Sequence, residues 1–285
     1  MNPFLKKLGI IFIVIGATIL FSYYQNNFLT TTSIDVISND IPDEFDGYKI
    51  VQLSDLHSKW FGSNQENLVE RVKKENPDLI VFTGDLIDEK SRDVKPGLVL
   101  MEHVTSIAPT YYVTGNHEWW ANQTESIEEE LTNLGVRVLR NDKEEIERNG
   151  ESLTLLGIDD PAEFEGGYVE ESSIISSIEQ ALDDKDHTDH FTILLSHRPE
   201  MFSIYQDFEL DLTFSGHAHG GQFRIPFVGG IVAPGQGWFP KYTAGKYDEK
   251  GSTLIVNRGL GNSIIPQRIF NRPEVTSVTL RKIEE

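Results

Sequence analysis

The sequence predicts an α/β fold, and three observations carry that expectation. Through the first half of the chain, apolar runs of strand length alternate with segments of helical period, the pattern of a parallel sheet covered by helices. Several runs end abruptly on Gly or Ser next to a carboxylate, amide or imidazole, as at Ser54-Asp55, Gly84-Asp85 and Gly115-Asn116. Functional groups of open α/β sheets sit there, beyond the carboxyl ends of the strands. The 285 residues, 39% of them hydrophobic, suffice for one large domain with a sizeable core or for two small ones.

The elements follow in order. Leu8–Tyr24 carries no charge over 17 residues, just long enough at about 1.5 Å per residue to span a bilayer core. Lys6 and Lys7 precede it and the next basic residue is Lys49. The excess of positive charge on the N-terminal side predicts a cytoplasmic N-terminus over 1–7, a transmembrane signal anchor over 8–24, a polar tether over 25–33 and a domain over 34–285 on the extracytoplasmic side. A cleavable signal peptide is the rival reading, but Leu20-Phe21-Ser22-Tyr23-Tyr24 is too bulky to offer a small-x-small cleavage site. Strands are expected at Tyr48–Leu53, Leu79–Thr83, Thr110–Thr114, Val136–Leu139, Leu153–Ile158, Phe191–Leu195, Leu212–Phe214, Leu254–Val256 and Val275–Leu280. Helices are expected at Asn64–Lys74, Val94–Ser106, Ser126–Leu134 and Ser172–Leu182. The acidic stretch Asn141–Gly150 reads as a connection, and Gly216–Gly237, with Pro226 and Pro234, as a long irregular loop.

Charge narrows the partners. With 45 acidic against 25 basic residues the formal charge is −20. Such a surface repels phosphate backbones, so binding of nucleic acid through a basic groove is not expected. An anionic substrate needs a local positive centre, which bound divalent ions would supply. The chain has no cysteine, which excludes disulfides, thiolate zinc sites, cysteine nucleophiles and a lipoprotein anchor.

Five polar clusters occur in one order: Asp55-Leu56-His57, Gly84-Asp85, Gly115-Asn116-His117-Glu118, Ser196-His197 and Gly216-His217-Ala218-His219. Each alone reads as a turn or a solvated loop. Together, at strand ends, they offer carboxylates, an amide and five imidazoles, donors that suit manganese, iron and zinc. Two such ions about 3.5–4 Å apart need a bridging ligand, and Asp85 has two oxygens with which to bridge. Glycines before Asp85, Asn116 and His217 permit tight turns there.

This set resembles the calcineurin-like metallophosphoesterase superfamily, whose pattern is D-x-H, G-D, G-N-H-[D/E], H and G-H-x-H. With its N-terminal apolar segment, it is similar in particular to the membrane-attached, exported phosphohydrolase branch. The resemblance spans Asp55 to His219. It implies a two-sheet β-sandwich flanked by helices in four αββα layers. It implies one metal held by Asp55, His57, Asp85 and His219, and a second held by Asp85, Asn116, His197 and His217. His117 would be no ligand but the catalytic group facing substrate and protonating the leaving oxygen. Two divalent ions, manganese favoured over iron or zinc, would hold a bridging hydroxide that attacks phosphorus in line, making the chain a phosphodiesterase or phosphatase. Glu118, where the family often has Asp, and Arg224 are candidate substrate contacts, and Arg198, Arg258 and Arg268 are further cations for a phosphate, each with a surface ion pair as its ordinary reading. The substrate would be a phosphoester, with lipids and cell-envelope components among the candidates, met at the outer side of the membrane. A metal-free binding scaffold and a nuclease of the same superfamily are the alternatives.

Overall fold

The structure, a computed structural model, describes residues 3–163, 171–182, 190–262 and 265–283. Helix α1 (Pro3–Asn27) is long and apolar enough to cross a membrane, and none of its apolar stretch is buried against the rest of the chain. Nine strands carry the chain through its first three quarters: β1 (Thr30–Ser38), β2 (Lys49–Leu53), β3 (Leu79–Thr83), β4 (Thr110–Val113), β5 (Arg137–Val138), β6 (Asp142–Arg148), β7 (Glu151–Gly157), β8 (Thr192–Leu195) and β9 (Leu212–Ser215). Between them lie α2 (Glu66–Glu75), α3 (Lys95–Val104), α4 (Asn116–Trp120), α5 (Thr124–Asn133), α6 (Glu171–Leu182) and α7 (Phe202–Asp207). Four two-residue strands follow, β10 (Arg224–Ile225), β11 (Gly229–Gly230), β12 (Val232–Ala233) and β13 (Gly237–Trp238), then β14 (Gly245–Glu249), β15 (Ser252–Val256) and β16 (Glu274–Lys282).

The long strands form two six-stranded sheets, in the orders β1-β16-β2-β3-β4-β5 and β14-β15-β9-β8-β7-β6. The centres are parallel, β2 to β5 in one sheet and β7-β8-β9-β15 in the other. Alternation along each strand divides the core into three layers. In β3, Val81 faces the second sheet and packs with Tyr111, Leu155, Ile193 and Phe214, while Ile80 and Phe82 face outward onto α2, α3 and α5. On the far side Leu156, Leu194 and Val256 pack under α6 and α7. Because central strands are buried on both faces they read as unbroken apolar runs, LIVFT in β3 and TILL in β8. The result is the expected two-sheet sandwich flanked by helices.

Several expected boundaries shift at the edges. The expected tether over 25–33 is occupied by the end of α1, to Asn27, and by the start of β1, which pairs parallel with β16 from Thr30. The acidic connection expected between the strands at 136–139 and 153–158 is itself strand β6, paired antiparallel with β7. An edge strand with one solvated face needs no apolar run, and its charges discourage pairing with another chain. The loop expected over Gly216–Gly237 holds two small antiparallel hairpins.

Candidate metal centre

The carboxyl ends of β2, β3, β4, β8 and β9 converge on one side of the sandwich, and each hands the chain directly to one of the five clusters. The backbone there is bent hard. Asp55, His57, Asp85, His217 and His219 all lie in the left-handed region, with φ of 51°, 47°, 56°, 61° and 46°, at a cost of about 1–2 kcal/mol each for residues with a Cβ. Gly84 (φ 85°) relieves one turn, since a Cβ there would stand 2.6 Å from His197 Nδ1 and 2.7 Å from the Gly115 backbone.

These turns aim the side chains at one another. His57 Nε2 lies 3.0 Å from His219 Nε2, 3.5 Å from Asp85 Oδ2 and 3.9 Å from Asp55 Oδ1. His219 Nε2 is 3.3 Å from Asp55 Oδ1. On the other side of Asp85, its Oδ2 is 3.2 Å from His197 Nε2, which is 3.1 Å from His217 Nδ1. Asp55, His57, Asp85 and His219 thus form one group able to hold a metal ion, and Asp85, His197 and His217 form another, with Asp85 common to both. Asn116 Oδ1 and His217 Nε2 are buried with no hydrogen-bond partner. Orphaned polar atoms at that depth are costly unless something fills the space between them. A donor set of carboxylate, amide oxygen and imidazole fits divalent ions of the manganese, iron and zinc kind.

The electrostatics point the same way. Burial pushes His57 down to about 3. It also holds His217 and His219 well below the ordinary imidazole range, helped by Arg198 for His217 and by His57 for His219. All three are therefore neutral, the form that ligates. Burial pushes Asp55 up to about 6, with the charge of Asp85 adding to it. Burial alone would raise Asp85 too, but His197, His117 and His57 hold it well below the usual carboxylate range. His197 goes the other way: burial lowers it, and Asp85 outweighs burial and brings it to about 10. Divalent positive charge between the carboxylates would take over the roles these imidazoles play toward Asp85.

His117 stands apart. Its Nδ1 accepts the backbone N–H of Glu89 at 3.0 Å, so the neutral ring carries its proton on Nε2. Nε2 lies 4.0 Å from Asp85 Oδ2, and the ring borders a cavity of about 190 Å³ shared with Asn116, His217, Trp120, Lys90 and Pro234. Asp88, which the sequence reading passed over, places Oδ2 3.9 Å from His117 Nδ1 and 4.0 Å from His57 Nδ1. A third possible metal group, His57, Asp88 and His117, overlaps the first. The hydrogen bond from Glu89 already occupies His117 Nδ1.

The two expected substrate contacts lie elsewhere. Glu118 is fully buried beneath the site. Its Oε2 accepts the N–H groups of Gly115 (2.7 Å) and Asp85 (3.1 Å), and its Oε1 that of Ile87 (3.2 Å). It braces the Asp85 turn and is not among the residues that line the cavity beside His117; burial, with the charge of Asp85, pushes it up to about 8. Arg224 donates to the carbonyl of Gly220 (2.8 Å) and to Thr243 Oγ1 (3.2 Å). The other arginines are also committed, Arg198 bidentate to Asp160, Arg258 to Glu274 and Arg268 to the carbonyls of Gly261 and Arg258. The cation that does border the cavity is Lys90, exposed on the loop after β3. Beside His217, Glu200 Oε1 stands 3.7 Å from Nε2, and both Glu200 oxygens are buried without a hydrogen bond. Of the remaining histidines, His103 is exposed on α3 and His190 bonds Ser152. His187, with most of the acidic loop 183–190, lies outside the described residues. Only the packing of three-dimensional neighbours reveals the roles of Asp88, Lys90 and Glu200, because each is an ordinary surface-type residue in an ordinary loop of the sequence.

Residues 48–221 match the sequence family described as calcineurin-like phosphoesterase. The chain is 31% identical over 264 residues to the metallophosphoesterase YkuE of Bacillus subtilis (strain 168), an alignment covering 91% of this chain and 88% of that one. It is 28% identical over 258 residues to a Danio rerio transmembrane protein with metallophosphoesterase domain, covering 87% of this chain and 56% of that longer protein. Among solved structures, TT1561 of Thermus thermophilus superposes with a TM-score of 0.50 at 14% identity, over 75% of this chain and 90% of that one, a likeness of fold.

Proposed function

Because the chain belongs to the calcineurin-like phosphoesterase family and is a metal-dependent hydrolase of phosphoester bonds, we propose that it works through two divalent ions, one at Asp55, His57, Asp85 and His219 and one at Asp85, Asn116, His197 and His217. One observation carries the reading: Asn116 Oδ1 and His217 Nε2 are buried and unpartnered beside imidazole nitrogens that already crowd to 3.0–3.1 Å. Manganese is the favoured ion, the carboxylate and amide oxygens among the ligands suiting it, with iron and zinc next.

When bound, the ions would activate water as the nucleophile and neutralise charge on the phosphoryl oxygens. The residues do the rest. Asp85, shared by both groups, fixes their separation. His117 presents Nε2–H at the cavity and hydrogen-bonds the leaving oxygen, stabilising the charge that develops there. Lys90 attracts the anionic ester, and Trp120, whose ring lies 5.4 Å from that of His117, bounds the pocket on the leaving-group side. Residues 8–24 span the membrane with 1–7 in the cytoplasm, and the catalytic domain stands outside, as Lys6 and Lys7 indicate.

The test uses the full chain in detergent micelles with aryl phosphate mono- and diesters and each metal in turn. Hydrolysis should vanish on chelation and in Asp85→Asn, and fall by about 10²–10⁴ in His117→Ala. Activity surviving chelation and both substitutions would refute the mechanism. For the topology, a membrane-impermeant maleimide should label Glu129→Cys in intact cells; labelling only after lysis would place the domain inside.

A further inference from the structure

Beyond the apolar N-terminal segment, whose first acidic residue is Asp35, the chain is acidic except in one region. From Leu212 to Tyr247, and again from Gly251 to Pro273, no Asp or Glu occurs in a sequence that holds 45 of them. The same region carries apolar side chains in the open. Phe227, at the tip of the β10–β11 hairpin, is fully exposed, Trp238 and Phe239 in the next hairpin are 74% and 68% exposed, and Phe270 is 54% exposed. Isolated exposed hydrophobics need no explanation, but several large ones on stretches of chain without an acidic residue mark a contact surface.

Continuity identifies what covers it. The segment 266–270 runs along the end of α1: Asn26 Nδ2 donates to the Pro266 carbonyl at 2.7 Å, and Asn26 Oδ1 accepts the Arg268 N–H at 2.7 Å. Phe270 meets Phe21 of α1 edge-on, with ring centroids 5.7 Å apart. Phe21 lies inside the apolar run, four residues before buried Gln25, or about 6 Å down the helix axis. If that run sits in hydrocarbon, Phe270 is already at membrane depth. From there the surface extends laterally through the Phe223–Ile269 bridge into the β10–β11 hairpin, and through the bond from Phe239 N–H to the Ile231 carbonyl (2.8 Å) into the β12–β13 hairpin. The second hairpin also reaches the site, since Pro234 borders the cavity with His217 and His219.

We propose that Phe227 at the β10–β11 tip, Trp238 and Phe239 at the open end of the β12–β13 hairpin, and Phe270 insert into the same leaflet that α1 crosses, and hold the mouth of the cavity at the lipid surface. The substrate class that fits is a phosphoester carried on a membrane lipid, taken laterally from the leaflet; this second part rests on the phosphoester reading, whereas the membrane contact does not. Exposed aromatic side chains such as these are of the kind that settles at the headgroup level. The scarcity of carboxylates along these segments leaves few groups that an anionic leaflet would repel, and Glu249, which reaches them in space, is paired with Lys241.

The chain has no cysteine, so single sites can be labelled in the full-length protein reconstituted into vesicles of phosphatidylcholine and phosphatidylglycerol. A nitroxide on Phe227→Cys should favour molecular oxygen over a water-soluble nickel complex as a relaxing agent, and one on Glu129→Cys, on α5, should show the reverse. Equal, water-like behaviour at both sites would overturn the membrane contact. The double variant Phe227→Asp, Trp238→Asp should hydrolyse a soluble aryl phosphate within about twofold of the parent while losing about tenfold or more on a phosphoester displayed on vesicle lipid. An equal effect on both substrates would overturn the lipid assignment. Failure of the unsubstituted protein to hydrolyse either would sink the phosphoester reading and leave the nitroxide to decide the membrane contact.

Discussion

Replacing Glu118 distinguishes a residue that braces the site from one that touches substrate. Its two oxygens take three buried backbone N–H groups, from Gly115, Asp85 and Ile87. Two of these flank Leu86, so the carboxylate clamps the turn that holds Asp85 at φ 56°. In Glu118→Ala all three donors lose their acceptor inside the protein. At about 1–3 kcal/mol for each unsatisfied buried donor, and allowing for relaxation, the loss is about 3 kcal/mol or more. For a domain of this size that corresponds to a fall in Tm of about 6–12 °C. Glu118→Gln keeps the volume and one oxygen, turns an amide N–H₂ toward one of the donors, and should cost about a third as much. With the clamp gone, Asp85 relaxes out of its strained turn and affinity for manganese falls by about 10–100-fold, the ordinary effect of losing a group that orients a ligand. The assays are thermal unfolding in detergent, metal titration and steady-state kinetics at saturating metal. Unchanged metal affinity together with a raised KM would refute the bracing role and make Glu118 a substrate contact after all.

Two further outcomes follow from buried charges away from the catalytic group. Arg198 lies against Asp160 with bonds of 2.7 and 2.9 Å, both buried; Arg198→Ala strands a buried carboxylate and should cost about 3–5 kcal/mol, while Arg198→Met with Asp160→Leu should recover most of it, and a single-variant loss below about 1 kcal/mol in denaturant titration would contradict this. Lys59 donates to the Asn26 carbonyl at 2.5 Å where α1 ends, and burial, with Arg268 adding, pushes its amine from 10.5 down to about 7. Between those values the unfolded chain binds the extra proton, so this group's contribution to stability rises with pH across that window and is at its worst below it. Lys59→Met should therefore stabilise at pH 6, by on the order of 3 kcal/mol, with the advantage shrinking toward pH 10; a pH-independent difference in Tm would refute it.

The legible part of the site was local. Asp55 and His57, Asp85, Asn116 and His117, His197, and His217 and His219 each sit within a few residues of the strand that aims them, and those central strands are apolar because both faces are buried. The edge strands escaped because a solvated face leaves no such signature: TTTSIDVIS in β1 and DKEEIER in β6 are polar, and only pairing with β16 and β7 makes them strands. Glu118 and Arg224 show the other limit of local reading. Both stand close to ligand residues in the sequence, yet a side chain's direction at a tight turn depends on the donors and carbonyls around it, and those come from Ile87 in one case and Thr243 in the other.

The sequence by itself determined the strand–helix alternation, the candidate ligand motifs and the apolar N-terminal helix, because strand period, helix length and short motifs are properties of neighbouring residues, and the two-sheet architecture came with the family those motifs resemble. Tertiary structure alone showed that Glu118 accepts three backbone N–H groups around Asp85, that the arginines are bonded to internal partners, and that the neutral His117 ring carries its proton on Nε2 by virtue of an N–H from Glu89. It alone brought Phe270 against Phe21. Each of these is a contact whose strength depends on distance in space, and no local pattern of residues records which distant groups the fold will bring within reach.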